Sequence, residues 1–307
     1  MFPYANHSWV VINDGGKFIS NPVFRLNLGM VTDAIWTDFD NDGWEDLLVA
    51  REWNSIVIMK NNNGKELVPQ IIPEVEAKHG IWYSLTAGDF DQDGDEDYIA
   101  GNLGDNHRFT VSDEFPLNLY VTDLDPEGTI DPIITAYWKD RHGKMTEYPV
   151  NYLDELWSQS PLLELKFNDY NKFSYLGFNE MMNEDMMKRL AFSLYVNSTS
   201  SYVLWNDNPG FRWEKLPEAM QLAPVNKMIV MDLNEDDRPD VLVAGNDHTY
   251  DLSTGYYDAN KGIVLLNSGR KAGEGDFFFE VLTPSQSGFL LQGMVQSLLW
   301  YDGDTSL

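Results

Sequence analysis

Acidic side chains recur in four short loops at a fixed spacing that could hold a metal ion. Counted from the first aspartate, oxygen-bearing side chains occupy positions 1, 3, 5 and 9 of each loop. The four sets are Asp38, Asp40, Asp42 and Asp46; Asp89, Asp91, Asp93 and Asp97; Asp123, Asp125, Glu127 and Asp131; and Asp232, Asn234, Asp236 and Asp240. Like charges this close repel one another, and a cation bound between them is a physical reason for their proximity.

This ligand set favours calcium. Glycine follows position 5 in three loops, at Gly43, Gly94 and Gly128, and permits the sharp turn that aims alternate side chains inward. Position 7 is expected to offer its backbone carbonyl. That position is held by Trp44, Asp95, Thr129 and Arg238. Oxygen-only ligands on a flexible loop suit calcium, whereas magnesium demands stricter octahedral geometry. The alternative is a solvated acidic turn without a metal.

The charge balance argues against several classes of partner. The 307-residue chain has 49 acidic and 21 basic residues, which gives a formal net charge of −28. Such a field repels phosphate backbones and anionic lipid, so we expect no nucleic-acid partner. A hydrophobic content of 43% predicts a globular chain, and the absence of cysteine excludes disulfides. No apolar run is long enough for a transmembrane segment.

The acidic loops belong to a longer repeat of β-strands. Each copy consists of an apolar strand, an acidic loop and a second apolar strand, and several copies continue into a hairpin such as "SIVIMKNNNGKELVPQI" or "SYVLWNDNPGFRWEKL". Four short antiparallel strands per repeat predict an all-β fold, namely a β-propeller of four-stranded blades. A solenoid would normally need shorter and more regular repeats.

We expect a single domain over residues 1–307. Its blade parts are predicted at about 1–30, 31–76, 77–115, 116–222, 223–290 and 291–307. Apolar spacing near three and four predicts a helical insertion at about 150–195 within one blade. About five blade equivalents are present. The partial repeats at the two ends either combine into a fifth blade or are the edges of a fragment of a seven-bladed propeller.

The acidic-loop repeat resembles the FG-GAP/VCBS repeat family, the calcium-loop propellers typified by the head of the integrin α subunit. The segments "GMVTDAIWTDFDNDGWEDLLV", "AGNLGDNHRF", "LAPVNKMIVMDLN" and "DVLVAGN" are similar to the bacterial ASPIC/UnbV-associated group, relatives of cartilage acidic protein. The resemblance covers nearly the whole chain and implies a calcium-binding propeller that is extracellular or associated with the outer membrane. The ASPIC/UnbV module itself is absent, which favours a fragment of a longer protein.

If the acidic loops brace one face of a propeller, the loops at the other strand ends form a face that can bind a ligand. The candidate ligand-binding residues are Trp53, Asn102, His107, Arg108, His248, Tyr250, Tyr256 and Tyr257. Plainer interpretations exist, because a histidine in a polar loop is usually only a loop residue. Asn102 and Asn246 each follow Ala-Gly at a strand end, where they can hydrogen-bond the loop backbone.

Three functions fit these features. The first is a calcium-binding adhesion module that recognises a glycan or a protein, since aromatic and polar side chains suit sugar recognition. The second is a polysaccharide lyase or hydrolase, with His107, Arg108, His248 and Tyr250 as candidate bases or charge stabilisers. The third is a structural scaffold domain of a larger surface protein. No nucleophile elbow or zinc-protease motif occurs, which argues against the enzyme.

Overall fold

β-Strands dominate the structure, and all the strand pairs described are antiparallel. The computed structural model describes residues 3–125, 127–207, 210–249, 255–269 and 278–300. The chain folds as two compact units. The inserted unit comprises Met1–Ala5 and Arg108–Ser198, and the main unit comprises Asn6–His107 and Thr199–Leu307. That both units form one propeller domain stays a prediction.

The chain contributes short strands and shorter helices. The strands are β1 (Ser8–Asp14), β2 (Lys17–Leu26), β3 (Val31–Thr37), β4 (Asp46–Ser55), β5 (Val57–Asn61), β6 (Leu67–Gln70), β7 (His79–Ile81), β8 (Ser84–Gly88), β9 (Asp97–Gly101), β10 (Leu117–Thr122), β11 (Asp131–Lys139), β12 (Met145–Pro149), β13 (Phe192–Val196), β14 (Tyr202–Asn206), β15 (Phe211–Lys215), β16 (Val225–Met231), β17 (Asp240–Gly245), β18 (Ile263–Asn267) and β19 (Phe279–Leu282). The α-helices are α1 (Pro73–Glu76), α2 (Leu153–Gln159), α3 (Pro161–Lys166), α4 (Tyr170–Phe173), α5 (Phe178–Met181), α6 (Glu184–Lys188) and α7 (Pro284–Ser287). A 3₁₀ turn spans Glu218–Gln221.

The main unit contains a hairpin and three larger sheets. Strands β1 and β2 form the hairpin, and the first sheet has the order β3-β4-β5-β6 with β7 paired to β4. The second sheet has the order β8-β9-β14-β15, and the third has the order β16-β17-β18-β19. The prediction of an all-β fold built from four-stranded antiparallel sheets is therefore confirmed. The closed propeller ring stays a prediction.

One segment pairs differently from the predicted blade at 116–222. Strand β14 pairs with β9, with Val203 opposite Ile99, so residues 202–215 complete the sheet of the second acidic loop. The sheet of the third loop takes β12 and β13 as its outer strands instead. The physical reason is a local anchor at the end of β14, where the Asn206 backbone N–H donates to Asp97 Oδ1 at 2.9 Å.

The central strands are buried on both faces, as their apolar runs dictate. All five residues of β9, with the sequence DYIAG, are buried. One apolar cluster joins the first two sheets around Trp82 and Tyr98, and another joins the second and third sheets around Trp205. Each of these fully buried aromatic side chains contributes on the order of 2–3 kcal/mol. The acidic loops of the main unit are therefore connected to strands that are packed in buried apolar clusters.

The inserted unit is one sheet covered by short helices. Its sheet has the order β12-β11-β10-β13. Helices α2 to α6 supply apolar side chains to a core with Ile133, and the Tyr120 ring stacks on Phe178 with centroids 4.3 Å apart. The predicted helical insertion is thus present between residues 150 and 195 as five short helices. No helix in the described part of the chain combines the length and apolar character needed to cross a bilayer.

Candidate functional site

The four acidic loops share one backbone turn, held by the aspartate at position 1. One of its carboxylate oxygens accepts the position-5 N–H, at 3.0 Å for Asp38, 3.0 Å for Asp89 and 3.1 Å for Asp232. The other oxygen accepts the position-6 N–H, and in the third loop Gly128 donates to Asp123 at 3.0 Å. This recurrence confirms the alignment of the repeats on their first aspartate.

Position 6 lies in the left-handed backbone region that glycine adopts without strain. Gly43, Gly94 and Gly128 have φ angles of 88°, 99° and 85°. The fourth loop places Asp237 there with φ 63°, which an aspartate tolerates better than most side chains. The predicted role of glycine in the turn is confirmed for three loops, and the fourth loop forms the same turn without it.

The position-9 aspartate anchors each loop to its sheet. Asp46, Asp97, Asp131 and Asp240 are at most 3% exposed. In the main unit their Oδ1 atoms accept backbone N–H groups from the asparagine that ends the third strand of each sheet. These bonds join Asn61 to Asp46 at 2.6 Å, Asn206 to Asp97 at 2.9 Å and Asn267 to Asp240 at 2.7 Å.

Two of these three asparagines also connect neighbouring loops. Asn206 Nδ2 donates to the Phe39 carbonyl of the first loop at 2.8 Å, and Asn267 Nδ2 donates to the Phe90 carbonyl of the second loop at 2.6 Å. Each of these two asparagines thus bonds its own acidic loop through its backbone and the preceding loop through its side chain. Stabilising one loop therefore also stabilises the loop bonded to it.

Three loops bring carboxylate oxygens close enough to share a metal ion. The groups, each with oxygens within 4.8 Å of one another, are Asp38, Asp40 and Asp42; Asp89, Asp91 and Asp97; and Asp123, Asp125 and Asp131. Several oxygens of these loops are buried without a hydrogen-bond partner in the described structure, namely Asp40 Oδ1, Asp46 Oδ2, Asp123 Oδ1 and Asp125 Oδ1. Buried oxygens without donors are costly, and a hard cation satisfies them. The residues therefore fit a calcium ion.

Burial and neighbouring negative charge raise the pKa values of two of the position-9 aspartates. Burial raises the pKa of Asp97 to about 7, and the charges of Asp91 and Asp93 act in the same direction. Burial raises the pKa of Asp131 to about 6, again aided by neighbouring carboxylates. A positive ion bound between these carboxylates would lower the pKa values of both aspartates.

Carboxylates of the first and fourth loops pair with basic side chains of the protein itself. Lys60 Nζ pairs with Asp40 and with Asp42, the latter at 2.9 Å. In the fourth loop the Arg238 guanidinium pairs with Asp236. That loop has Asn234 at position 3, and it is not among the described groups of three clustered carboxylates. Position 7 was predicted to offer only a carbonyl, so the role of the Arg238 side chain was missed.

Two candidate ligand residues have buried structural positions. Asn102 is 0% exposed, and its Oδ1 accepts the Ile81 and Leu103 N–H groups at 3.0 and 2.8 Å. Asn246 bonds backbone groups in the same manner, which confirms the plainer interpretation of both asparagines. Trp53 is 6% exposed. Asn102 and Trp53 therefore offer little surface to a ligand, in contrast to the prediction.

His107 and Arg108 fall in different units. His107 Nε2 lies 2.9 Å from Thr199 Oγ1. The Thr199 hydroxyl donates its proton to Asp105, so His107 Nε2 is the donor in this contact. Arg108 is exposed, and its guanidinium lies over the Phe109 ring at 5.3 Å from the centroid.

The structure brings three candidate ligand residues together. The His248 and Tyr256 rings lie 4.6 Å apart, and Tyr256 is 57% exposed. Tyr257 forms two backbone hydrogen bonds with Asp247, at 2.8 and 2.9 Å. Tyr250 lies outside the described residues.

A polar pocket that the sequence patterns did not predict lies at the strand ends opposite the acidic loops of the main unit. Its volume is about 290 Å³. Thr32, Tyr83 and Asn226 line it, and each stands six residues before the first aspartate of its loop. Lys227 and Asp247 complete its charged wall. The shared register was the signal available in the sequence, because the repeats align equally well upstream of the loops.

The pocket wall has donors and acceptors side by side. The Tyr83 hydroxyl donates to Asp247 Oδ2 at 3.2 Å, and Lys227 Nζ lies 3.4 Å from Asp33 Oδ2. Asn226 Nδ2 donates to two backbone carbonyls, whereas its Oδ1 is buried without a partner among the described residues. Such a surface suits a ligand that carries several hydroxyl groups.

Residues 38–100 match the family model described as an FG-GAP-like repeat. The match starts at the first aspartate of the first loop and ends in β9, so it includes the first two acidic loops and strands β4 to β8. A search of curated proteins finds no match to this chain. The chain thus contains an FG-GAP-like repeat, and the closer resemblance to the ASPIC/UnbV-associated group stays a prediction.

Proposed function

We propose that this chain is a calcium-binding β-propeller module whose acidic loops hold calcium as a structural ion and whose opposite strand ends bind a glycan. The observation that carries the proposal is the clustering of three carboxylates within 4.8 Å in each of three loops. The matched FG-GAP-like repeat, which contains two of these loops, supports it further.

Calcium would supply the positive charge that the loops lack. In the third loop, buried Asp123 Oδ1 and Asp125 Oδ1 have no partner in the described structure, and Asp131 is anchored beneath them. Asp123, Asp125 and Asp131 would hold the ion there, and Asp89, Asp91 and Asp97 would hold it in the second loop. The protein's part is to fix these oxygens on a turn that the position-1 aspartate holds through hydrogen bonds to the backbone.

If calcium stabilises the acidic-loop end of the sheets, the loops at the other end can carry the residues that recognise a ligand. The pocket of Thr32, Tyr83, Asn226, Lys227 and Asp247 combines donors, acceptors and both charges in about 290 Å³, a size that suits one sugar unit. The Tyr256 ring, which packs against His248 and is 57% exposed, offers an aromatic surface for stacking. We therefore favour a glycan over a protein as the ligand.

The proposal implies a compartment with abundant free calcium. Exposed loops of modest affinity fill at the calcium concentrations found outside the cytoplasm. We accordingly propose an extracellular or outer-membrane-associated location. The net charge of −28 is also compatible with a surface that attracts divalent cations.

A glycan array probed in calcium and again in chelator tests the proposed ligand. Tyr83→Phe and Lys227→Met alter the pocket without touching the acidic loops, and Tyr170→Phe is a matched control at an exposed tyrosine of the inserted unit. We expect calcium-dependent binding to one polysaccharide class that both pocket variants weaken and the control retains. Failure of a folded, calcium-loaded chain to bind any glycan would overturn the glycan assignment.

A further inference from the structure

Lys60 reaches from β5 into the first acidic loop. Its ammonium group pairs with Asp40 and Asp42, and it also lies 5.7 Å from the centre of the Phe39 ring. The Lys60 side chain is only 30% exposed, so the pair is partly shielded from water. One ammonium group therefore pairs with two of the carboxylates that the first loop would offer to a metal ion and offsets one of their two negative charges.

The corresponding positions in the other two sheets of the main unit are not cationic. Asn61, Asn206 and Asn267 have equivalent positions because each donates its backbone N–H to the position-9 aspartate of its loop. The residue before each is Lys60, Trp205 and Leu266 respectively. Among the described residues, the lysine and arginine side chains that form ion pairs with carboxylates of an acidic loop are those of Lys60 and Arg238, and neither pairs with the second loop. Arg189 donates only to the backbone carbonyls of Asp123 and Leu124 in the third loop.

We propose that Lys60 is an internal counter-cation of the first loop, and that calcium must displace the Lys60 ammonium group in order to bind there. This inference rests on the proposed calcium binding. Its consequence is an order of filling, in which the second loop binds calcium at lower concentrations than the first. Lys60 stabilises the calcium-free loop and competes with the ion for the same two carboxylates.

The ammonium group leaves the first loop incompletely satisfied, which is why calcium can still replace it. Asp46 belongs to this loop and is 0% exposed. Its buried Oδ2 atom has no hydrogen-bond partner in the described structure. The corresponding Oδ2 atoms of Asp97 and Asp240 accept backbone N–H groups at 3.3 and 3.0 Å. A divalent ion can reach more oxygens at once than a monovalent ammonium group can.

The fourth loop has a related arrangement. Arg238 pairs with Asp236 and also donates from Nε to the Asn267 carbonyl at 3.2 Å, which ties the guanidinium to the sheet. Asn234 replaces a carboxylate at position 3. The fourth loop thus has both fewer acidic ligands and its own cation, and it would bind calcium more weakly than the second.

The test compares Lys60→Met with Lys65→Met. Methionine keeps most of the apolar stem and removes the charge, and Lys65 is an exposed lysine on the turn of the same hairpin. The intact chain is depleted of metal, and its unfolding midpoint is measured in chelator and in excess calcium. Calcium binding is followed by titration calorimetry on the same samples. Lys60→Gln provides a second charge-removing variant if Lys60→Met does not fold.

We expect the substitution to lower the unfolding midpoint in chelator but not in calcium. In chelator, Lys60→Met should lower the unfolding midpoint by about 1–3 °C, because Asp40 and Asp42 lose their partner. In calcium this deficit should vanish, and the weaker class of calcium sites should tighten by about two- to tenfold, the factor that offsets the deficit. Lys65→Met should change neither quantity.

Two results would overturn the inference in distinguishable ways. A deficit of equal size in chelator and in calcium, with unchanged calcium affinity, would make Lys60 an ordinary structural ion pair. In that case the second loop would still bind calcium, and the Asp91→Asn variant would still lose that site. If neither the native chain nor the Asp91→Asn variant responds to calcium at all, the calcium proposal itself fails and the inference fails with it.

Discussion

Replacing Asp91 by asparagine should stabilise the calcium-free chain while weakening its response to calcium. Asp91, Asp89 and Asp97 have carboxylate oxygens within 4.8 Å of one another. At that distance two charges in water repel by roughly 0.9 kcal/mol, and Asp97, with a pKa of about 7, is only partly ionised at neutral pH. Removing the Asp91 charge should therefore raise the free energy of unfolding in chelator by about 1 kcal/mol.

In calcium the same substitution removes a charged ligand. A ligand present at a hundred times its dissociation constant adds about 2.7 kcal/mol to stability, and each tenfold loss of affinity subtracts about 1.4 kcal/mol. The second loop's contribution to the calcium gain should consequently be about half its native value or less in Asp91→Asn, and the total gain should fall by that difference. Urea unfolding curves in chelator and in calcium, fitted with a common slope, measure both quantities.

Glu45→Gln is the matched control for Asp91→Asn. It removes one negative charge from an exposed side chain in the first loop, at a position that offers no ligand. Its calcium gain should equal that of the native chain. If the Asp91→Asn gain also equals the native gain, the expectation is wrong, because the second loop would then hold no calcium through Asp91.

Two further predictions concern the anchors of the loops. Asp97 has a folded pKa of about 7 against an ordinary value of 3.8, so the calcium-free folded chain binds more protons than the unfolded chain between these values. Its stability should fall as pH rises through that window, whereas the calcium-induced gain should grow from pH 5 to 8; urea curves across this range in chelator and calcium check both signs. Asn267→Ala should cost about 1–3 kcal/mol in the same assay, because it leaves the Phe90 carbonyl unpaired, and Asn61→Ala, whose side chain bonds an exposed loop, should cost less.

The loops were predictable because their determinants are local. The position-1 aspartate bonds groups four and five residues ahead, and glycine marks the backbone angle at position 6. Spacing in the sequence therefore translates directly into geometry in the turn. The strand pairs flanking each loop are local for the same reason, and Thr37 lies opposite Asp46 in the first sheet as the repeat implies.

The partners of the loops were not predictable, because they come from distant segments. Strand β14 joins β9 across an insertion that includes a complete sheet and five helices. Lys60 reaches Asp40 from a neighbouring strand, and no spacing rule signals that contact. Non-local pairing depends on which surfaces meet during folding, and a periodic pattern does not encode this.

The ligand end was predicted only in part. The sequence singled out His248 and Tyr256, which the structure brings into contact, but it also singled out Asn102, which is fully buried. Residue type alone cannot separate an asparagine that bonds backbone from one that faces a pocket. The register of Thr32, Tyr83 and Asn226 relative to their loops was the more informative signal.

Whether calcium stabilises the acidic loops is tested by the free energy of unfolding of the metal-depleted chain. Urea titration at about pH 7.5 measures this free energy in chelator, in excess calcium and in excess magnesium. Because bound calcium stabilises only the folded loops, we expect it to raise the free energy of unfolding by about 3 kcal/mol or more when present well above its dissociation constant. Magnesium should give a clearly smaller gain. Identical unfolding curves in chelator and in calcium, with no calcium retained after dialysis, would show that the loops hold no structural ion.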